Sequence, residues 1–515
     1  MTPPFSRTLP ALLDEQAFLH GDAIAVIADG REHSYTELAD RAGQVAASLR
    51  ANGIRRGDRV AIFLGNGIEW LEICLGALAT GAVVVPISTW SKPAELEYIL
   101  SDADAKILFA STTIGNENFA PTLHALRQRL PALQSLVIVG ETPTDFDCLR
   151  YADLFRGASI DLPPGDGPSA ADDALILYTS GSTSKPKAVR LAHYGLIENG
   201  FNIGERMGLG PTDRVFASVP LFWAYGSANA LPATFSHGAT LVLQDRFEPG
   251  EALSLIERHH CTAIYTLPTM TNALIQHRDF SPQRTSSLRT GLTIGTAQDV
   301  VDAANILGVR DICNIYGSSE TYGNCCITPS DWPLERRAAC QGPPLPGVSL
   351  RLVDQEIQVR GYLMPGYGGQ SAVHNAAVFT SDGWYRTGDR GQLTDDGDVV
   401  FVGRNSEMIK RAGINVSPAE VEDVLARHDG VFQAGVVGIP DAAKGEAIIA
   451  FVVAAAGVSE ADLIAHCRRV ASTYKVPDRI EFCDALPITA TGKLLRQSLK
   501  QDALTLERRE VIHAR

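Results

Sequence analysis

From Ser34 onward the chain alternates segments of helical period with short β-branched runs, and this rhythm confines it to an α/β fold built largely on parallel strands. Ser34 and Glu37 form a capping-box pattern, after which Leu38, Ala42, Val45, Ala46 and Leu49 recur at helical spacing as far as Gly53. A strand at 59–64, a helix at 69–78, a strand at 82–87, a helix opened by Pro93 and a strand at 106–110 follow. The apolar runs at 174–178, 215–219, 240–243, 263–266 and 291–294 continue the pattern, and ligand loops are expected at their ends. Between 360 and 385 the pattern weakens into glycine-rich turns. From Asn405 a smaller unit with its own helices and strands runs through Arg496. The reading is a large N-terminal α/β domain, residues 1–403, a mobile C-terminal α+β domain, residues 404–515, and a hinge at 404–406. The tail after Gln501 reads as a charged helix or frayed end.

Length and composition narrow the class. A chain of 515 residues with 45% hydrophobic residues exceeds one ordinary core, which also argues for two domains. The net charge of −14 argues against nucleic acid, whose phosphates require a clustered basic face. The nine cysteines are scattered, with Cys325 and Cys326 adjacent, which matches neither a disulfide framework nor a metal-ligand spacing. The first residues lack a basic stretch followed by an apolar run, and no apolar stretch is long enough for a bilayer span. A cytoplasmic protein with reduced thiols and no membrane span is expected; the oligomeric state is left open.

The strongest local signal is residues 177–187, where a strand enters a loop of Thr179, Ser180, Gly181, Ser182, Thr183 and Ser184, closed by Lys185, Pro186 and Lys187. Backbone N–H groups, hydroxyls and the Lys187 ammonium can together cradle a polyphosphate. The spacing is not that of a Walker A loop, and a polar surface turn is the alternative on these residues alone.

The loop resembles the phosphate-binding signature of the adenylate-forming superfamily of acyl-CoA synthetases, peptide-synthetase adenylation domains and luciferases. Further segments resemble that family's signatures in the family's order: 314–321, containing Tyr316, Gly317, Ser318, Ser319 and Glu320; 384–389, ending in Asp389; 403–422, containing Arg404 and Gly413; and 487–493, ending in Lys493. The resemblance is most like an acid–CoA ligase. It implies an ATP- and Mg²⁺-dependent enzyme that converts a small-molecule acid to its acyl-AMP, releases pyrophosphate and transfers the acyl group to a thiol, with CoA as co-substrate. It implies that the Tyr316 ring stacks on adenine, that the Ser319 hydroxyl faces the α-phosphate, that Glu320 holds Mg²⁺ and that Asp389 binds the ribose hydroxyls. Gly295 and Thr296 would lie beside adenine, Lys493 would be the catalytic lysine, and Gly413 would line the path of the thiol.

The chemistry agrees with these roles. A carboxylate attacking the α-phosphate of ATP brings two anions together, so cations and donors must stabilise the growing charge. Glu320 through Mg²⁺, and Lys493, meet that need; one carboxylate suits a hard ion that keeps waters and shares the phosphates. Asp389 can accept two ribose hydroxyls, the alternative being a turn-capping aspartate after Gly388. Arg404 can reach ribose or phosphate, or pair with Glu407. Residues 220–226 resemble the wall of the acid pocket, with Trp223, Tyr225, Gly226, Ile294, Ser318 and Tyr322 as its lining. Such a pocket suits an aryl or medium-sized aliphatic acid, unless Trp223 and Tyr225 are core aromatics. The family's α-amino-acid activators carry an aspartate where this chain has Trp223, which argues against an α-amino acid.

Four stretches depart from the family pattern. Ser184 and Ala188 stand where glycine is usual, Ser406 stands where the hinge often has aspartate, Gly295-Thr296-Ala297-Gln298 replaces a glycine/alanine/proline run, and 359–380 is shorter than the usual glycine-tyrosine-tryptophan turn. The rival readings are a free-standing enzyme loading a carrier protein with a β-amino or hydroxy acid, an adenylating enzyme with a non-thiol acceptor or a small acid such as nitrite, and an inactive nucleotide-binding relative. No fused carrier domain is expected after Lys493.

Overall fold

Ser34 Oγ accepts the Glu37 N–H at 3.1 Å and the Glu37 carboxylate accepts the Ser34 N–H at 2.9 Å, so the capping box starts the helix Tyr35–Ala51 as the sequence predicts. The buried face of that helix is Leu38, Ala42, Val45 and Leu49, and it packs against the helix Ile68–Ala79. The computed structural model describes the chain apart from residues 143–146, 156–166, 180–185, 406, 412–413, 442–443, 472, 489–493 and 514–515.

Two eight-stranded sheets carry the large domain. One runs in the spatial order Cys326–Ile327, Asp311–Tyr316, Thr290–Thr293, Ala263–Tyr265, Arg214–Ala217, Thr240–Leu243, Ile24–Ala28 and Arg31–Ser34, and is parallel except at its two outermost pairings. The other runs Tyr367–Gly368, Lys187–Ala192, Asp173–Thr179, Val83–Pro86, Arg59–Phe63, Ala105–Ala110, Ser135–Ile138 and Leu149–Arg150. Its first two pairings are antiparallel and the rest parallel. Strands buried on both faces read as continuous Val/Ile/Leu/Ala runs, which is why 59–64 and 82–87 were legible. A four-stranded antiparallel sheet, Ser349–Val353, Glu356–Arg360, Tyr385–Leu393 and Val399–Arg404, packs onto the same core through Ile357, Val359, Tyr385 and Val399.

The apolar core changes at the end of that sheet. Val399 is the last member of the large core, and Ile409 opens a separate one with Val421, Leu425, Val436, Ile448 and Leu463. That second core belongs to a smaller sheet of Ile414–Val416, Ile409–Arg411, Gly445–Ala454, Val431–Asp441 and Arg479–Phe482. The tail forms the helix Arg496–His513, whose Leu499 and Ala503 are buried against the Val431–Asp441 strand. Among the described residues, no helix is long and apolar enough to cross a membrane.

Candidate active site

Among the predicted site residues that the structure describes, Lys187 and Glu320 are joined through Tyr367, and Tyr316, Asp389 and Arg404 form a second connected group. Thr179, Ile294 and Tyr316 stand at or just past the C-terminal ends of strands, the expected place for ligands in an open α/β sheet. Asp173–Thr179 and Lys187–Ala192 pair as antiparallel strands with Thr179 opposite Lys187, so a strand, not a helix, follows the stretch expected to bind phosphate. Ser180, Gly181, Ser182, Thr183 and Ser184 lie outside the described residues, as do Ser406, Gly413 and Lys493.

Tyr316 ends the strand Asp311–Tyr316 and donates its phenolic hydrogen to Asp389 Oδ2 at 2.8 Å. Asp389 sits on Tyr385–Leu393, opposite Arg404 in the neighbouring strand, with the guanidinium Nε 3.6 Å from Oδ1. Burial pushes the Asp389 carboxyl up to about 6, against the pull of Arg404 and the Tyr316 hydroxyl, which both favour the ionised form. Arg404 itself is exposed, so its charge can swing to a ligand. The sequence reading did not foresee Phe401: its ring stacks on Tyr316 with centroids 5.6 Å apart and planes 26° apart. The ring expected to meet adenine therefore has a second aromatic stacked on one of its faces. Phe401 is partly exposed on Val399–Arg404, and an unsatisfied apolar side chain just before Arg404 was the available signal.

Gly317 and Ser318 lead into the short 3₁₀ turn Ser319–Thr321, held by Thr321, whose hydroxyl oxygen accepts the Ser318 N–H at 2.9 Å. Glu320 stands partly exposed on this turn. Its Oε1 accepts the Tyr367 phenol at 2.8 Å, and no described residue bonds its other oxygen. A single carboxylate with an open oxygen fits an ion that draws its remaining ligands from phosphates and water; among the described residues no group of three His, Cys, Asp or Glu side chains forms a closed metal cage. Ser318 Oγ is buried with no hydrogen-bond partner among the described residues.

The Tyr367 contact explains the stretch 359–380. Tyr367–Gly368 adds a short strand to Lys187–Ala192, with Val189 opposite Tyr367 and Ala188 opposite Gly368. Ala188 thus faces a residue without a side chain, which makes room for the methyl group that replaces the usual glycine. The Ala188 N–H donates to Ser371 Oγ at 3.0 Å.

On the acid side, Trp223, Phe222 and Trp90 form an edge-to-face trio with centroids 5.0 to 5.8 Å apart. Trp90, from the loop after Val83–Pro86, was missed because an isolated tryptophan in a turn has no periodic signal. Ile294 projects, partly exposed, from the end of Thr290–Thr293. Three pocket expectations need correction. Tyr322 is wholly buried; it adopts a left-handed backbone at φ 57°, its hydroxyl accepts the Ala192 N–H at 3.0 Å, and its ring fills the space beside Gly195. Tyr225 is buried against Tyr265 and donates to the Leu292 carbonyl at 3.0 Å, so it backs the wall instead of lining it. Gly226 lies in the π-helical segment Ala224–Ala230 and is a close-packing position, since a Cβ there would stand 2.3 Å from the Pro220 carbonyl oxygen. Thr296, expected beside adenine with Gly295, is the N-cap of the helix Ala297–Asn305, its hydroxyl engaged with Asp299 at 2.8 Å.

Comparison with known proteins identifies the family. A family model described as AMP-binding enzyme matches residues 13–380, and one described as AMP-binding enzyme C-terminal domain matches residues 420–493. The chain is 34% identical to the 3-[(3aS,4S,7aS)-7a-methyl-1,5-dioxo-octahydro-1H-inden-4-yl]propanoyl:CoA ligase of Mycobacterium tuberculosis over 96% of this chain and 99% of that one. It is 33% identical to the sulfoacetate–CoA ligase of Cupriavidus necator over 97% and 99% of the two chains. It superposes on the anthranilate CoA ligase AuaEII, solved with anthranoyl-AMP, with a TM-score of 0.88 at 29% identity, covering 98% of this chain and 99% of that one.

Proposed function

Because the chain belongs to the AMP-binding enzymes, the adenylate-forming family, we propose that it activates an aryl or medium-sized aliphatic acid. It is an AMP-forming acid–thiol ligase that converts an organic acid to its acyl-AMP and ligates the acyl group to CoA. The choice of acid and the roles of individual residues are our reading.

The observation that carries the reading is the convergence of Lys187, Tyr316, Glu320, Asp389 and Arg404 from three sheets onto one surface. We assign the loop 179–187 and Lys187 to the polyphosphate, Tyr316 to adenine, and Asp389 with Arg404 to the ribose. Glu320 is the residue that would hold Mg²⁺, which when bound offsets phosphate charge as it builds at the α-phosphorus. Ser319, the neighbour of Glu320 in sequence, we assign to the α-phosphate. The acid's carboxylate attacks the α-phosphorus, the bond to the bridging oxygen breaks, and pyrophosphate departs. The thiolate of CoA then attacks the acyl carbon and AMP departs. Lys493 is assigned to the first step and Gly413 to the thiol's path, and the boundary at 403/404 to the hinge between them; the change of core between Val399 and Ile409 supports that boundary.

The acid assignment rests on the Trp90, Phe222 and Trp223 trio and on Ile294. Indole edges and faces suit an aromatic ring, whereas a sulfonate or an α-ammonium group at Trp223 would face an apolar wall. The test is acid-dependent pyrophosphate release across aryl, aliphatic, β-amino, sulfonated and α-amino acids, with wild type and Trp223→Ala. Aryl or medium aliphatic acids are expected to give the highest kcat/KM, and Trp223→Ala to lower it about tenfold for aryl acids while the KM for ATP holds. A sulfonated or α-amino acid outrunning all of them would sink the assignment.

A further inference from the structure

Tyr367 occupies a position in the fold that the reaction described above does not use. Its phenol donates to Glu320 Oε1 at 2.8 Å, and it shares a hydrogen bond with the Tyr385 hydroxyl, four residues before Asp389 on the same strand. The Lys187 ammonium lies 5.2 Å above the centroid of its ring. One buried side chain therefore touches the cation that closes the phosphate loop, the carboxylate on the turn after Asp311–Tyr316, and the strand that carries Asp389.

The backbone of Tyr367 is held as firmly as its side chain. Asn375 Oδ1 accepts the Tyr367 N–H at 2.7 Å, and Asn375 Nδ2 donates to the Tyr367 carbonyl at 3.1 Å. The strand register with Val189 and the Ser371 bond to the Ala188 N–H fix the segment against the hairpin. The Met364 N–H donates to the Glu320 carbonyl at 2.9 Å, which ties the approach to this strand back to the turn. A residue so constrained, in contact with both Glu320 and Lys187, the groups assigned above to the metal and the polyphosphate, has the properties of a preorganising support.

Resting on the proposed adenylation, we propose that Tyr367 is a positioning residue for it: its hydroxyl aims the Glu320 carboxylate, its ring seats the Lys187 ammonium, and the two are thereby fixed relative to each other on either side of the triphosphate. Without the hydroxyl, Glu320 rotates freely between orientations and the metal-bearing oxygen is no longer presented in one place. Without the ring, Lys187 loses its seat as well.

The test compares wild type, Tyr367→Phe, which keeps the ring and removes the hydroxyl, and Tyr367→Leu, which removes both. Isothermal calorimetry of ATP with and without Mg²⁺ reads the support directly. The Mg²⁺-dependent gain in ATP affinity is expected to shrink about tenfold in Tyr367→Phe, the size of one lost hydrogen bond to a charged group. The Mg²⁺ concentration for half-maximal pyrophosphate release rises in parallel, the KM for the acid is unchanged, and thioester formation from synthetic acyl-AMP and CoA proceeds at the wild-type rate. Tyr367→Leu is expected to weaken ATP binding further, in the absence of Mg²⁺ as well. An unchanged Mg²⁺ gain in Tyr367→Phe, or equal loss of both half-reactions, overturns the proposal in favour of simple packing. If Tyr367→Phe does not fold, Asn375→Ser releases the backbone clamp while leaving the phenol in place; it is expected to shift the Mg²⁺ gain the same way, and an unchanged gain there overturns the proposal too. Wild type without acid-dependent pyrophosphate release would instead overturn the adenylation reading, an outcome separate from any difference between variants.

Discussion

Asp389 is a buried carboxyl whose only described cationic neighbour is a largely exposed arginine, and its titration follows from that position. Burial raises it from 3.8 to about 6, the opposite of an aspartate in a surface ion pair. With the folded value above the unfolded one, its contribution to stability is fully present below about pH 4 and is lost as the pH rises through about 6. On the proposed ribose assignment nucleotide binding runs the other way, because ribose hydroxyls would donate to the ionised form. ATP affinity is expected to climb about tenfold between roughly pH 5 and 7 in wild type and to be flat in Asp389→Asn, measured by calorimetry at constant ionic strength. A flat wild-type profile would contradict the ribose assignment. Asp389 was legible from its motif, but its burial was not. Burial depends on Tyr316 and on the strand Val399–Arg404, which only the folded sheet brings alongside. Tyr322 illustrates the same limit: two residues from Glu320 in sequence, it turns away through a left-handed residue and ends in the core.

At the level of elements, the helix His193–Met207 shows how a glycine can be fixed by a neighbour far along the chain. A Cβ at Gly195 would stand 2.1 Å from the Tyr322 ring, well inside contact distance. Gly195→Ala is therefore expected to lose about 1–3 kcal/mol of stability through overpacking, read as a lower denaturant midpoint, with the KM for the acid unchanged because Tyr322 lies outside the pocket. Wild-type stability in that variant would show that the packing has been misread. The elements that sequence reasoning located are those with a sustained period: the capped helix Tyr35–Ala51, the parallel strands, and the Pro93 helix. It missed the two-residue strand Tyr367–Gly368 and the π-helical segment Ala224–Ala230. Two residues carry no period, and a π-helix places its side chains off the 3.6-residue repeat on which the search depends.

Across the whole molecule, no apolar cluster of the described residues includes side chains from both units, and the helix Pro418–Ala426 of the small unit touches the helix Ala297–Asn305 and the strand Val399–Arg404 of the large one, with Ser417 Oγ donating to the Val402 carbonyl. Such an interface could be broken and remade, as the proposed reorientation about 404–406 would require. Within the small unit Arg496 anchors the residues that follow Lys493, bonding Glu422 at 2.9 Å and Glu407, just beyond the hinge, at 3.1 Å. One half-buried guanidinium thus links the helix that follows Lys493 to the stretch after the proposed hinge, which would let the small unit carry Lys493 as a body. The most direct test of two half-reactions served by one moving domain is to measure each separately in wild type and Lys493→Ala: pyrophosphate release from ATP, Mg²⁺ and acid, and acyl-CoA formation, followed by mass, from synthetic acyl-AMP and CoA. The account predicts both in wild type and only the second in Lys493→Ala; equal loss of both in the variant, or no acyl-CoA from wild type, would contradict it.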